Sequence, residues 1–215
     1  FGSGGESKRE IAAEIAATLA FSASRNGDKV GLVLFTKEAE HIIPPRKGRR
    51  HILRIIRDIL AFRPQFRGTD ISAALDKVNR MLKRKTIVAL VSDFLQGPDG
   101  TLPNPAEKSK SEVFKALDIT NRRHDLVCFE IIDPRETVLP SLGVITLEDA
   151  ETGEIVSLDT SSASVRKTYA DINAKRLADF RRALARSNID LLEVETDKPF
   201  ITPLRKFFER RAKRQ

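Results

Sequence analysis

Short apolar runs alternate with segments of helical periodicity along this chain, and that alternation most constrains its fold. A nearly unbroken apolar run of this kind is typical of a strand that other elements cover on both faces. The runs that match the pattern cover residues 30–35, 86–91, 126–132 and 189–194. Strands separated by helices predict an α/β fold with a doubly wound, mostly parallel, Rossmann-like sheet.

The helices are predicted from their start signals and from apolar side chains that recur on one face. Ser7 and Glu10 have the spacing of a capping box, and Ile11 and Ile15 lie four residues apart behind them. This pattern predicts a first helix that ends at Asn26-Gly27. Later helices are predicted over 52–60, from 70 through 82, over 111–123, from 165 to 184, and from Pro203 onward.

Two features predict departures from a wholly parallel sheet. Only residues 36–38 separate the first apolar run from a second at 39–43, and a parallel crossover needs about a dozen residues. These two strands are therefore expected to pair antiparallel, with the second at an edge and ending before Pro44-Pro45. Residues 143–158 predict an inserted, protruding β-hairpin around Glu151-Thr152-Gly153, and residues 96–110 predict a loop rich in proline and glycine.

The order of the elements also predicts that one strand is absent. In doubly wound folds the first strand usually lies at the centre of the sheet and leads into the first helix. Here the first predicted element is a helix that follows Phe1 closely. We therefore expect a central first strand upstream of Phe1, and a single domain over residues 1–215 that ends in a basic helix at 199–215.

Composition excludes some functions and leaves others open. Cys128 is the only cysteine, which excludes an intramolecular disulfide and a multi-cysteine zinc site. No apolar run approaches the ~20 residues that a membrane span needs. The net charge of +8, with basic clusters at 46–57 and 205–214, is compatible with nucleic acid, an anionic membrane surface or an acidic protein as the partner.

Oxygen-bearing side chains are expected at the carboxyl ends of the strands, where open α/β sheets bind ligands. Asp93 follows the run at 86–91, and Thr69 and Asp70 precede a helix. A hydroxyl and carboxylates could form part of a magnesium shell. Alternatively, Thr69 or Asp70 only caps its helix and Asp93 only ends its strand. Glu130 and Asp133 could join Asp93 around a catalytic magnesium ion, although Asp133 also precedes proline as an ordinary turn opener.

The remaining reactive side chains predict no site. His41, His51 and His124 lack the spacing of metal ligands and are expected at the surface. Cys128 lies within an apolar run, where an inert buried thiol is commoner than a nucleophile.

The order of several motifs resembles von Willebrand factor A-like domains. Gly68-Thr69-Asp70, followed by Val91-Ser92-Asp93-Phe94, is similar to the later motifs of a metal-ion-dependent adhesion site. More closely, the chain resembles the bacterial domain-of-unknown-function family number fifty-eight, whose members are commonly encoded beside MoxR-type AAA+ ATPases. The other matching motifs are Phe1-Gly2-Ser3, residues 27–35 and 87–94, Asp133-Pro134-Arg135-Glu136, Leu139-Pro140, residues 143–149, Glu151-Thr152-Gly153 and Thr196-Asp197.

The resemblance implies a function and a partial metal site. Thr69 and Asp93, with Asp70 beside them, match the later ligands of the site, whereas the family's first motif, Asp-x-Ser-x-Ser, is not among residues 1–215. Weak or no binding of Mg²⁺ or Mn²⁺ is therefore expected of this chain. The implied function is a non-enzymatic, metal-dependent protein-interaction module that acts with a MoxR-type ATPase, binds a partner's acidic side chain, and is cytoplasmic with a membrane tether upstream.

Two other classes of function stay open at this point. A magnesium-dependent phosphoester hydrolase would use Asp93 and Asp133, but the sequence shows no evident nucleophile or general base. A nucleic-acid-binding domain would use the arginine-rich helix at 49–57 and the C-terminal helix, but no recognised binding motif accompanies their charge.

Overall fold

The computed structural model describes residues 7–66, 68–95, 111–148 and 155–213. The helices in these ranges are α1 (Lys8–Arg25), α2 (Arg49–Ala61), α3 (Ile71–Met81), α4 (Ser111–Arg123), α5 (Pro134–Thr137), α6 (Ala163–Arg186) and α7 (Ile201–Ala212). The strands are β1 (Val30–Phe35), β2 (Ala39–Arg46), β3 (Ile87–Ser92), β4 (Asp125–Ile132), β5 (Val144–Glu148), β6 (Ile155–Asp159) and β7 (Asp190–Glu195). The predicted α/β class is confirmed.

The centre of the molecule is a parallel three-stranded sheet in the order β3-β4-β7. β4 has a neighbour on each side and six consecutive buried residues, as its apolar sequence predicts. In the register of the sheet, Ser92 lies opposite Glu130, and Glu130 lies opposite Glu193. Polar side chains from three strands therefore form one row across the sheet, near its carboxyl end.

β1 and β2 form a separate antiparallel pair, as the short connection between them predicts. The predicted end of β2 is wrong, because the strand continues through Pro44 and Pro45 to Arg46. Proline is tolerated at an edge strand because its missing N–H leaves no ladder bond unmade on the solvent side. A Cβ atom at Gly31 would lie 2.9 Å from the carbonyl oxygen of Ile43, so glycine permits the close approach of these two strands.

One edge of β1 and one edge of β3 carry no neighbouring strand among the described residues, because β1 pairs with β2 and β3 with β4. The prediction that both strands are fully covered on both faces is wrong for a separate reason, because most of their side chains keep some solvent exposure. No residue of β1 is fully buried, and the side chain of Ile87 in β3 is 64% exposed. Apolar side chains of these two strands are therefore left partly exposed by the described residues.

Helix α1 holds the two sheets side by side. Its Ile11 and Ile15 pack with Val127 and Phe129 of β4, whereas its Ala13 and Ala20 belong to a cluster with the β1–β2 pair and α2. α3 makes a second connection, because its buried Ile71 and Leu75 share a cluster with Leu90 of β3 and Phe35 of β1. Two helices thus bridge strands that do not pair with each other.

The C-terminal helix is fixed to the opposite, amino-terminal end of the parallel sheet. Arg211 of α7 forms ion pairs with Asp125 at the start of β4 and with Asp190 at the start of β7. The helix begins at Ile201, two residues before Pro203, because proline is accepted throughout the first turn, where N–H groups have no helical partner.

The predicted hairpin is confirmed as an antiparallel pair, β5–β6, that joins neither of the other sheets. Val144 and Ile155 on its strands are largely exposed, as expected of a protruding element. The turn around Glu151-Thr152-Gly153 and the predicted loop at 96–110 lie outside the described residues.

Candidate functional site

The carboxyl end of the parallel sheet collects the polar side chains that follow its strands. Asp93 comes directly after β3, Asp133 after β4 and Thr196 after β7. Because parallel strands end at the same edge, these side chains share one end of the sheet. We call this region the carboxyl edge.

Lys8 is the central cation of the carboxyl edge. Its Nζ atom lies 3.1 Å from Oδ2 of Asp93 and 2.6 Å from Oε1 of Glu136, so one ammonium group bridges two carboxylates. Lys8 is the first residue of α1, and the Ser7–Glu10 capping box that starts the helix brings its side chain to this position. Glu136 lies on the short helix α5, which Asp133 caps through the backbone N–H of Arg135.

Thr69 and Asp70 lie at the start of α3, next to the end of β1. The backbone N–H of Asp70 donates to the carbonyl oxygen of Thr36, and the Oδ1 atom of Asp70 accepts a hydrogen bond of 2.9 Å from the backbone N–H of Ala73. The helix-capping role that the sequence left open for Asp70 is therefore present. Thr69 is half-buried, and its assignment as a metal ligand stays a prediction, as do those of Asp70 and Asp93.

The oxygens of Thr69, Asp70 and Asp93 do not form a metal shell by themselves. Within the described residues, no three histidine, cysteine, aspartate or glutamate side chains converge in a way that could hold an ion. One oxygen of Asp70 is used in capping, and the Oδ2 atom of Asp93 contacts the ammonium group of Lys8. A hard cation such as Mg²⁺ needs about six oxygen ligands, so further donors would have to join Thr69 and Asp93.

Glu130 is a buried carboxyl group beside this edge, two residues before the end of β4. Its side chain is 1% exposed, and no described residue forms a hydrogen bond with its Oε2 atom. Burial, and after it the nearby carboxylate of Glu193, raise the pKa of Glu130 to about 7, although the guanidinium groups of Arg176 and Arg181 oppose the shift. Glu130 therefore changes protonation state near neutral pH.

Asp133 and Thr196 are buried more deeply than their positions after strands suggest. Asp133 has no exposed surface, and its Oδ2 atom and the Oγ1 atom of Thr196 form no hydrogen bond with a described residue. The backbone N–H of Thr196 donates to the carbonyl oxygen of Ile132, so the two side chains follow neighbouring strands.

The sequence pointed to Asp93, Thr69 and Asp70 but missed Lys8. A lysine at the start of an amphipathic helix is ordinarily a solvated residue, and only the packing of α1 across both sheets brings it to the carboxyl edge. Glu136 was present in the Asp133-Pro134-Arg135-Glu136 motif, without an assigned role. The capping box just before the first helix was the available signal for Lys8, because it fixes where that helix starts.

The other reactive residues are structural. Cys128 is fully buried and burial raises the pKa of its thiol, so it is an inert core residue, as predicted. His124 is buried, and the expectation that all three histidines lie at the surface is wrong for it. Its ring is at the junction of α4 and β4, and burial lowers its pKa.

Comparison with known proteins identifies relatives without an assigned activity. The chain is 29% identical over 217 residues to uncharacterized proteins of Mycobacterium tuberculosis and Mycobacterium bovis, with 99% of this chain aligned. It spans 63% of the length of those relatives. An uncharacterized protein of Mycobacterium avium is 29% identical over 175 residues, covering 80% of this chain and 94% of that protein.

A solved structure supports the fold. The crystal structure of conserved hypothetical protein BatB from Bacteroides thetaiotaomicron superimposes with a TM-score of 0.55 at 13% identity, over 95% of this chain and 88% of that one. In the described part of this chain, the helices are too short or too polar to cross a membrane. The model of the family described as "Protein of unknown function DUF58" matches residues 1–179, and the chain belongs to this family.

Proposed function

We propose that this chain is the larger part of a von Willebrand factor A-type module that binds a protein partner at its carboxyl edge and is not an enzyme. The observation that carries the proposal is the position of Asp93. Its side chain is 33% exposed, it follows a strand of the parallel sheet, and it is bridged through Lys8 to Glu136. A charged group that is both held in place and accessible is suited to recognise a partner's ion or polar side chain.

The proposal includes a further strand between β1 and β3. The unpaired edges of these two strands belong to sheets that α1 and α3 hold side by side. A strand supplied by a segment upstream of Phe1 would use the free backbone groups of both edges and cover their half-buried apolar side chains. It would turn two separate sheets into one doubly wound sheet.

The same strand would supply the donors that the carboxyl edge lacks. In the family that the chain resembles, the Asp-x-Ser-x-Ser motif ends that strand, and its oxygens would join Thr69 and Asp93. Mg²⁺ is proposed to bind only when those donors are present. The partner would then provide an acidic side chain, and the family resemblance makes a MoxR-type AAA+ ATPase the first partner to test.

The test measures the affinity between this chain, extended by an upstream segment with the Asp-x-Ser-x-Ser motif, and a MoxR-type ATPase, by biolayer interferometry with Mg²⁺ and with EDTA. Asp93→Ala is expected to weaken binding at least about tenfold, the size typical of removing one central charged contact. EDTA is expected to weaken the binding of the unchanged protein by a similar factor.

Asp118→Ala is the matched control, because Asp118 is an acidic residue on α4 that pairs only with Arg122 among the described residues. It should leave the affinity unchanged. If Asp93→Ala and EDTA both leave binding undiminished, the proposal of metal-dependent recognition at this edge is wrong.

A hydrolase is the second candidate, and Glu130 is the observation that favours it. A carboxyl group with a pKa of about 7 near Asp93 has the proton affinity of a general base at neutral pH. Magnesium-dependent turnover of p-nitrophenyl phosphate by the longer protein, lost in both Glu130→Gln and Asp133→Asn, would support an enzyme. Absence of turnover would count against the hydrolase.

A further inference from the structure

The outward side of α2 and its flanking residues carry a dense cluster of positive charge. Exposed cations on this surface, which we call the α2 surface, are Arg46, Lys47, Arg49, Arg50, Arg54, Arg57 and Arg63. Asp58 is the only acidic residue between positions 46 and 63, so the segment carries +6 of the chain's net +8. A charge of this density on one element favours an anionic partner.

Most of these cations are available for such a partner. Asp58 is occupied by Arg57, Arg54 and His41, and the hydrogen bonds from Arg57 lower its pKa. The other cations of the surface are exposed, and they form no ion pair with a described residue. Internal neutralisation therefore accounts for a small part of the charge.

Two large apolar side chains lie among these cations. Leu53 is 48% exposed and Leu60 is 64% exposed. They are seven residues apart and therefore on nearly the same side of a helix with about 3.6 residues per turn. Ile52, Ile55 and Ile59 already anchor the opposite side in the core. The two leucines are thus not needed to hold α2 on the domain.

We propose that the α2 surface binds anionic phospholipid bilayers. Arg49 and Arg50 flank Leu53 on the helix, so cations can contact lipid phosphates while the leucines enter the boundary between headgroups and acyl chains. This combination of basic and apolar residues on one helix face is characteristic of helices that lie in the plane of a membrane interface.

Nucleic acid is a weaker fit to the same surface. Phosphate backbones would engage the arginines but would leave Leu53 and Leu60 against a solvated, charged partner, with no gain from their apolar surface. A bilayer uses both kinds of side chain at once. The inference involves none of the residues Lys8, Asp93 and Glu136 and does not depend on the proposed function.

The test is co-flotation of the purified chain with large unilamellar vesicles of phosphatidylcholine, with and without roughly 30% phosphatidylserine, at about 0.15 M salt. Binding is expected only with phosphatidylserine. The triple variant Arg49→Gln, Arg50→Gln, Arg63→Gln should lower the partition coefficient at least about tenfold, and Leu53→Ser with Leu60→Ser should lower it about fivefold or more.

Two matched controls separate this surface from general basicity and hydrophobicity. Lys206→Gln, Arg210→Gln, Lys213→Gln removes the same charge from exposed positions in α7 and directly after it, and Leu142→Ser removes an exposed leucine elsewhere. Both should bind vesicles like the unchanged chain, and circular dichroism verifies that all variants fold.

The proposal is overturned if the unchanged chain does not float with anionic vesicles, or if the α7 triple variant loses as much binding as the α2 triple variant. It is also overturned if the leucine variant binds vesicles unchanged. DNA binding that depends on Arg49 and Arg50 in a chain that ignores vesicles would assign the surface to nucleic acid instead.

Discussion

Glu130 places an acidic side chain in the sheet at a position with almost no access to water. It stands in the central strand, opposite Ser92 on one side and Glu193 on the other. Its proton is held to about pH 7, mainly because burial disfavours the carboxylate. Arg181 forms ion-paired hydrogen bonds with Glu193 rather than with Glu130, which leaves the central carboxyl group as the one that stays protonated.

This pKa predicts how stability depends on pH. The folded-state pKa lies above the ordinary value of 4.5, so the folded protein binds an extra proton between about pH 4.5 and 7. The contribution of Glu130 to the free energy of unfolding therefore falls as pH rises through that interval. We compare the free energy of unfolding of Glu130→Gln with that of the unchanged chain at each pH. This difference should shift in favour of the variant by roughly 1–3 kcal/mol between pH 5 and pH 8.

Urea unfolding of both proteins at pH 5 and pH 8 measures the difference. Glu209→Gln, at an exposed position of α7, is the control and should give the same relative stability at both values. An equal effect of Glu130→Gln at pH 5 and pH 8 would contradict the raised pKa.

At the residue scale, sequence reasoning finds side chains that follow strands and misses those that arrive from elsewhere. Asp93 could be predicted because an aspartate after an apolar run lies at the end of a strand. Lys8 could not, since its contact with Asp93 joins residues 85 positions apart in the chain. The pKa of Glu130 could not be predicted either, because it depends on which strands lie beside β4.

At the scale of the element, Asp70 at the start of α3 has a structural role as a helix cap, whether or not it is also a metal ligand. The carboxylate of Asp70 satisfies the N–H of Ala73, one of the free donors in the first turn. Asp70→Ala should lower the free energy of unfolding by about 1 kcal/mol, whereas Asp70→Ser should retain most of it, because serine is also a good cap.

Chemical denaturation of the two variants checks this expectation. Thr202→Ala, at an exposed position of α7, serves as the reference. Should Asp70→Ser destabilise the chain as much as Asp70→Ala, capping would not be the main role of this residue.

Elements with local signals were the most predictable. The bounds of β1 and α4 follow from sequence, and α1 starts where its capping box indicates. The number of neighbouring strands was not predictable, because a strand with one neighbour and a strand with two can have the same apolar sequence. β1 and β3 have the composition of central strands, but each pairs with one strand among the described residues. Leu60 of α2 and Ile172 of α6 are exposed although both side chains are apolar, because helical periodicity does not fix how wide the buried face is.

At the scale of the whole molecule, the unpaired edges predict uneven protection of backbone amides. Amides of β4 should exchange with deuterium at least about tenfold more slowly than those of β3, because β4 has hydrogen-bonded neighbours on both sides. In the longer protein with the upstream segment, exchange in β1 and β3 is expected to slow as the proposed strand pairs with both.

Hydrogen–deuterium exchange with mass spectrometry measures both effects. β7 provides the internal reference, because it is an edge strand on the far side of β4 and should exchange alike in the two lengths of protein. Unchanged exchange of β1 and β3 in the longer protein would be evidence against a strand between them.

The open edges of β1 and β3 also bear on how this chain behaves when concentrated. An exposed strand edge accepts any extended segment, including one from another copy of the same molecule, and can start aggregation. The net charge of +8 keeps copies apart at low ionic strength, and salt screens that repulsion. At high protein and salt concentration, copies of this chain are therefore expected to aggregate by pairing through these edges, which a further strand would prevent.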